Sequence, residues 1–263
     1  MLTKLLKYDL KYMLKNMSAF YILSIVFALF TRIVSLLHKT TITTIIYKIC
    51  FGLVISMIFN ILINTMIRSW TRFRDSIYKD EAYLTHTLPV TKDDIYNSKF
   101  IQTLIFYLVG FLVIILSIFI AFYSKDNWKL IKVLIDTVSV NLDVSNTLFV
   151  VMMLFIIFLE VFNAIQCGFM GIILGYRQNN AKIGFSILFG FVAYLIAQSL
   201  VLVLMALVGV FDNSIMELFK SNIILDGKSF VTLYVGASIL YIVIIFIMSI
   251  IDKKLLNKGV NIE

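Results

Sequence analysis

Six runs of about 20 predominantly apolar residues constrain this chain more than any other feature: 18–37, 45–67, 100–123, 148–175, 186–210 and 230–251. Apolar residues make up 61% of the 263 residues and charged ones 14%, against roughly 45–50% and 25% in soluble domains. A water-soluble fold of this length has nowhere to bury so much apolar surface. The expectation is an all-α integral membrane protein with six transmembrane helices. No Gly/Ser-rich or proline-rich linker separates a soluble part and no internal repeat is evident, so residues 1–263 read as a single transmembrane domain. Cys50 and Cys167 both fall inside apolar runs, as small core residues do.

Basic residues orient the spans. Fifteen of the 23 lie in the N-terminal segment, in 68–99, in 176–185 and in the tail after 251. By the positive-inside rule these four segments face the cytoplasm, which places both termini there and the protein in the cell membrane as a multi-pass chain. The net charge of +8 is then a topology signal, and a nucleic-acid partner is not expected. The 17 residues before the first span exceed a usual signal n-region, and no small-x-small site follows. The first span is expected to be retained.

Residues 1–17 carry a helical pattern. Lys4, Lys7, Lys11 and Lys15 recur at three- and four-residue spacing, with Leu6, Leu10, Met13, Leu14 and Met17 opposite. Such a helix is expected to lie at the cytoplasmic interface, lysines toward anionic membrane lipids, before turning into the first span.

The segment 68–99, RSWTRFRDSIYKDEAYLTHTLPVTKDDIYNSK, has nearly balanced charge and apolar residues that a solvated connector would not need: Ile77, Tyr78, Tyr83, Leu84, Leu88 and Val90. Pro89 biases Leu88 away from helix. Thr91 reads as an N-cap with Asp93 and Asp94 in the first turn of a helix running into the third span. A short helix around 77–85 is expected before Pro89. It could dock in a partner's groove or pack on the chain's own span ends.

The string DEAYLTHTLPVTKDDIYNSK resembles the first cytoplasmic loop of permease subunits in type-2 ATP-binding-cassette (ABC) exporters. That motif covers about twenty residues, while the plan of the whole chain agrees with the family. The resemblance implies a coupling helix within the 76–88 region, with Tyr78, Asp80, Glu81, Tyr83, Leu84 and Leu88 meeting an ABC ATPase subunit. Residues 4–15 would be the family's interface helix. It also implies a second permease copy or homologue, ATP and Mg bound in the partner ATPase, and outward movement of a peptide, lipid or hydrophobic drug. The alternative is a membrane-bound peptide-sensing or immunity component without transport. A secondary transporter is a third reading, which would call for inverted repeats.

Catalytic chemistry is not expected in this chain. The nearest fragment to a phosphate-binding GxxxxGK[ST] loop is Gly227-Lys228-Ser229, with Asn222 in place of the first glycine. No HExxH string occurs, and with only His38 and His86 a histidine metal site is not expected. Intramembrane polar residues carry functional suspicion. Arg32 lies about 22 Å along the first span from Met17, and Glu160 about 24 Å along the fourth from Tyr176, at 1.5 Å per residue. Asn163 and Gln166 follow Glu160 one and two turns on. These four read either as a polar patch along a translocation path or as a structural arrangement: an Arg32–Glu160 pair, or Arg32 reaching outward alone. The structural reading is favoured. The last external segment, 211–229, mixes Ile215, Met216, Leu218 and Phe219 with Asp212, Glu217 and Lys220, and resembles the outer lid of the exporter family.

Overall fold

Between Leu2 and Leu36 there is neither proline nor glycine, and the whole stretch forms one helix, α1 (Leu2–Leu36). The expected turn between an interface helix and the first span is therefore absent: with no residue to break it, the lysine-bearing segment continues straight into the apolar run. The computed structural model describes residues 2–37, 40–211 and 227–259. The remaining helices are α2 (Thr41–Tyr78), α3 (Ala82–Thr87), α4 (Lys92–Phe122), α5 (Lys125–Asn141), α6 (Asn146–Gly175), α7 (Lys182–Phe211) and α8 (Gly227–Asn257). No strand occurs among the described residues. Six helices, all but α3 and α5, are long and apolar enough to cross a membrane, so the chain is a multi-pass, all-helical membrane protein. Most of the 211–229 segment, for which a lid is expected, lies outside the described residues.

Local signals account for the helix ends. Thr40 caps α2 through a reciprocal box with Thr43, satisfying amides that a helix start otherwise leaves free. Thr91 caps α4 by accepting from the Asp94 amide at 3.1 Å, with Asp93 and Asp94 in the first turn, as expected from the sequence. Leu88, before Pro89, is extended (φ −68°, ψ 143°) and ends α3. Two elements differ from expectation. Ile77 and Tyr78 belong to the end of α2, and the short helix begins only at Ala82. The stretch 125–141, which lies outside the six apolar runs, is helical: Trp128, Ile131, Leu134, Ile135 and Val138 keep three- and four-residue spacing, and Ser124 accepts from the Asn127 amide at 3.1 Å.

Two compact units divide the described chain near Trp128. In the first, α1, α2 and α4 pack on one another around Met13, Met17, Tyr21, Ile61, Phe106 and Ile114. The buried stripe of α1 runs Asp9, Met13, Met17, Tyr21, Ser24, Ala28 and Thr31, one residue per helical turn. Two polar contacts fix its register on α4: Tyr21 donates to the Phe106 carbonyl at 3.0 Å, and the Ser24 and Ser117 hydroxyls meet at 2.9 Å.

The second unit relies on close backbones. A Cβ built on Gly171 of α6 would fall 2.5 Å from the Ser186 carbonyl oxygen and 2.6 Å from the Gly190 Cα of α7. Cys167, Ala193, Ala197, Ile244 and Met248 fill the space among α6, α7 and α8. Small residues serve this purpose in membranes because lipid tails supply no hydrophobic drive between helices, leaving close van der Waals contact to hold them. Gly171→Leu should therefore separate α6 from α7 and destabilise the protein by about 1–3 kcal/mol or more. Gly184→Ala, at a position open on all sides, should stay within about 1 kcal/mol of the parent. Thermal unfolding in detergent micelles distinguishes the two.

Candidate functional site

Asp9 lies on the buried stripe of α1, four residues before Met13, and is 1% exposed. An ionised carboxylate in such surroundings must be paired and hydrogen-bonded, and cations from two other helices meet it. Arg72 of α2 donates from Nε to Asp9 Oδ1 at 3.0 Å and places Nη2 at 3.0 Å from the same oxygen. Lys99 of α4, 4% exposed, brings its Nζ to 2.5 Å from Oδ1. Ser98 donates to Oδ2 at 2.6 Å. The Arg72 guanidinium also lies over the Tyr12 ring, 4.5 Å from its centroid.

Arg72 extends the cluster to the short helix. Its Nη1 donates to Glu81 Oε2 at 2.5 Å. Glu81 is the N-cap of α3 yet makes no capping bond with its side chain; the carboxylate is turned to Arg72 instead. The turn is closed by the Ala82 amide on the Lys79 carbonyl at 2.7 Å and the Glu81 amide on the Asp75 carbonyl at 3.3 Å. His86 Nε2 sits 3.1 Å from the Ile77 carbonyl oxygen. Two acids and two bases thus join α1, α2, α3 and α4 with formal charge balanced. Beside them is a cavity of about 430 Å³, walled by Leu5, Tyr8, Leu84, Leu88 and Ile95, with Asp9, Arg72 and Lys99 among its lining.

Periodicity divides the residues expected to contact a partner. Ala82 and Thr85 face inward and are buried, which turns Tyr83 (65% exposed), Leu84 (72%) and Leu88 outward. Asp80 is also exposed. Tyr78 is not: it is buried at the end of α2, where it is unavailable to a partner. Glu81 lies between these groups, half-exposed and ion-paired. Lys4, Lys7, Lys11 and Lys15 are all exposed along one side of α1, as their spacing predicts.

The intramembrane polar residues fall in both units. Arg32, near the end of α1, lies 6.0 Å from the centroid of the Tyr123 ring. Glu160 of α6 accepts from the Tyr194 hydroxyl of α7 at 3.5 Å. Gln166 is buried and donates to the equally buried Asp252 of α8 at 2.8 Å, which places it between helices. Asn163 is buried as well.

Asp9, Arg72 and Lys99 are the site residues that sequence reasoning missed. One signal was available: Asp9 is the lone acid in the first 17 residues and falls in step with Met13 and Met17. Among the described residues no group of three or more His, Cys, Asp or Glu side chains could hold a metal ion. No known family model, curated protein or solved structure matches the chain.

Removing one member of a buried pair leaves its partner charged and unsatisfied. Asp9→Asn leaves Arg72 and Lys99 as neighbouring cations and should cost about 3–5 kcal/mol of stability. Glu81→Gln acts on a side chain 45% exposed and should cost at most about 1 kcal/mol. Thermal unfolding of the purified variants tests this order.

Proposed function

We propose that this chain is the membrane-spanning permease subunit of an ABC exporter, moving a peptide, lipid or hydrophobic drug outward. The observation that carries the reading is α3: a short helix between the ends of two spanning helices, with Tyr83 and Leu84 unpacked on its outer face. Large side chains gain most from burial in a partner's groove, and adjacent Asp80 adds a charge for orientation. In this reading α3 is the coupling helix, and an ABC ATPase subunit, which binds ATP and Mg, covers Asp80, Tyr83, Leu84 and Leu88. The string DEAYLTHTLPVTKDDIYNSK, which resembles the family's loop, supports it.

The ion pairs behind α3 suit such a role. A push on α3 bears on Glu81, through Arg72 on Asp9, and through Asp9 on α1 and α4. The ATPase then drives the spans without this chain catalysing any reaction. Both termini and α3 face the cytoplasm at the cell membrane, as the lysine and arginine distribution favours. The exposed lysines at the start of α1 lie along anionic headgroups, and a second permease copy or homologue completes the path.

Co-purification with the ATPase subunit tests the contact. Tyr83→Ala with Leu84→Ala should reduce assembly and stimulated ATP hydrolysis at least tenfold, and Asp80→Lys should weaken both. Full assembly and stimulation in both variants would remove α3 as the ATPase contact.

A further inference from the structure

Glu160, Tyr194, Gln198 and Tyr241 all lie near the middle of their helices, α6, α7 and α8. A helix of 30 residues is about 45 Å long, so its midpoint falls near the centre of an apolar layer about 30 Å thick. The four groups form a polar track. Tyr194 donates to Glu160 at 3.5 Å, Gln198 follows Tyr194 by one helical turn, and Tyr241 donates to Gln198 Oε1 at 3.2 Å. The track runs from an exposed carboxylate to a buried tyrosine.

Its hydrogen bonding is incomplete. Gln198 Nε2 is buried with no acceptor among the described residues. Asn163, one turn from Glu160 and wholly buried, has neither carboxamide atom partnered among them. Glu160 has no ion pair there either, and its single hydrogen bond is long. Exposed Ile157 and Phe191 on the same two helices leave an apolar surround. A carboxylate at this depth is costly when it faces lipid, while a cation beside it gains from the low local dielectric. Aromatic faces add to the attraction, and the apolar surround suits the rest of such a molecule.

We propose that Glu160, with Tyr194 and Gln198, forms a mid-membrane site for a hydrophobic cation: a molecule whose positive charge sits within an apolar body. That this molecule is the exported cargo rests on the permease reading; the binding itself does not.

The test is binding of tetraphenylphosphonium to the purified chain in lipid nanodiscs, without any ATPase. The parent should bind it saturably and much more tightly than neutral triphenylphosphine oxide. Glu160→Gln, nearly isosteric, should weaken binding at least tenfold, Glu160→Asp should recover part of the loss, and Tyr194→Phe should weaken it two- to fivefold. Unchanged thermal unfolding of Glu160→Gln would show that the loss is local; if that variant unfolds, the parent's preference for cation over neutral analogue decides. Equal binding by Glu160→Gln, or equal binding of the neutral analogue, overturns the proposal. So does a change of oligomeric state in Glu160→Gln with cation binding intact, which would assign the carboxylate to a contact between copies. Absence of cation binding leaves ATPase assembly unaffected, and failed assembly leaves this binding unaffected, so the two readings fail separately.

Discussion

The Asp9 carboxylate sits on a helix stripe otherwise made of methionine, tyrosine and small residues, and the first unit is arranged around satisfying it. Burial makes an unpaired charge there prohibitive, so Lys99 and Arg72 must arrive from helices far along the chain. Meeting this demand sets α1, α2 and α4 in register at one level. The Tyr21–Phe106 and Ser24–Ser117 contacts hold the same register further along α1. Because Arg72 has a second side free for Glu81, the same ion also anchors the turn into α3.

The second unit meets the same physical problem, helices with no hydrophobic incentive to associate in lipid, by other means. Glycines at 171 and 190 let two backbones approach, and one amide-to-carboxylate bond, Gln166 to Asp252, links α6 to α8. Among its described residues the one buried charged side chain is Asp252, near the end of α8. The carboxylate at mid-helix, Glu160, is on the surface. This contrast separates two kinds of intramembrane polar group: one held between helices by a short hydrogen bond, as Gln166 is, and one left at the surface with a long one, as Glu160 is.

How much of this was legible beforehand follows from the range of each interaction. The six apolar runs, the stop at Pro89 and the cap at Thr91 depend on neighbours within a few residues, and all reappear as expected. The spacing of Lys4, Lys7, Lys11 and Lys15 likewise marked an exposed side. Helix length was less readable, because an apolar run ends where charge begins, whereas a helix without breakers does not. That is why α1 takes in the N-terminal lysines and α2 reaches Tyr78. The amphipathic pattern of α5 was present but lay in a stretch too polar to count as a span.

By itself, then, the sequence determined a multi-pass helical membrane protein and where its capped and proline-limited ends lie, since hydropathy and local hydrogen bonding act over one or two turns. Only the tertiary structure decided that Asp9 meets Arg72 and Lys99, that Glu81 faces inward while Tyr83 and Leu84 face out, and that Glu160 adjoins Tyr194. Those outcomes join residues 9 to 90 positions apart. The pairing of buried charges depends on which helices pack together, and single-chain periodicity carries no record of that choice.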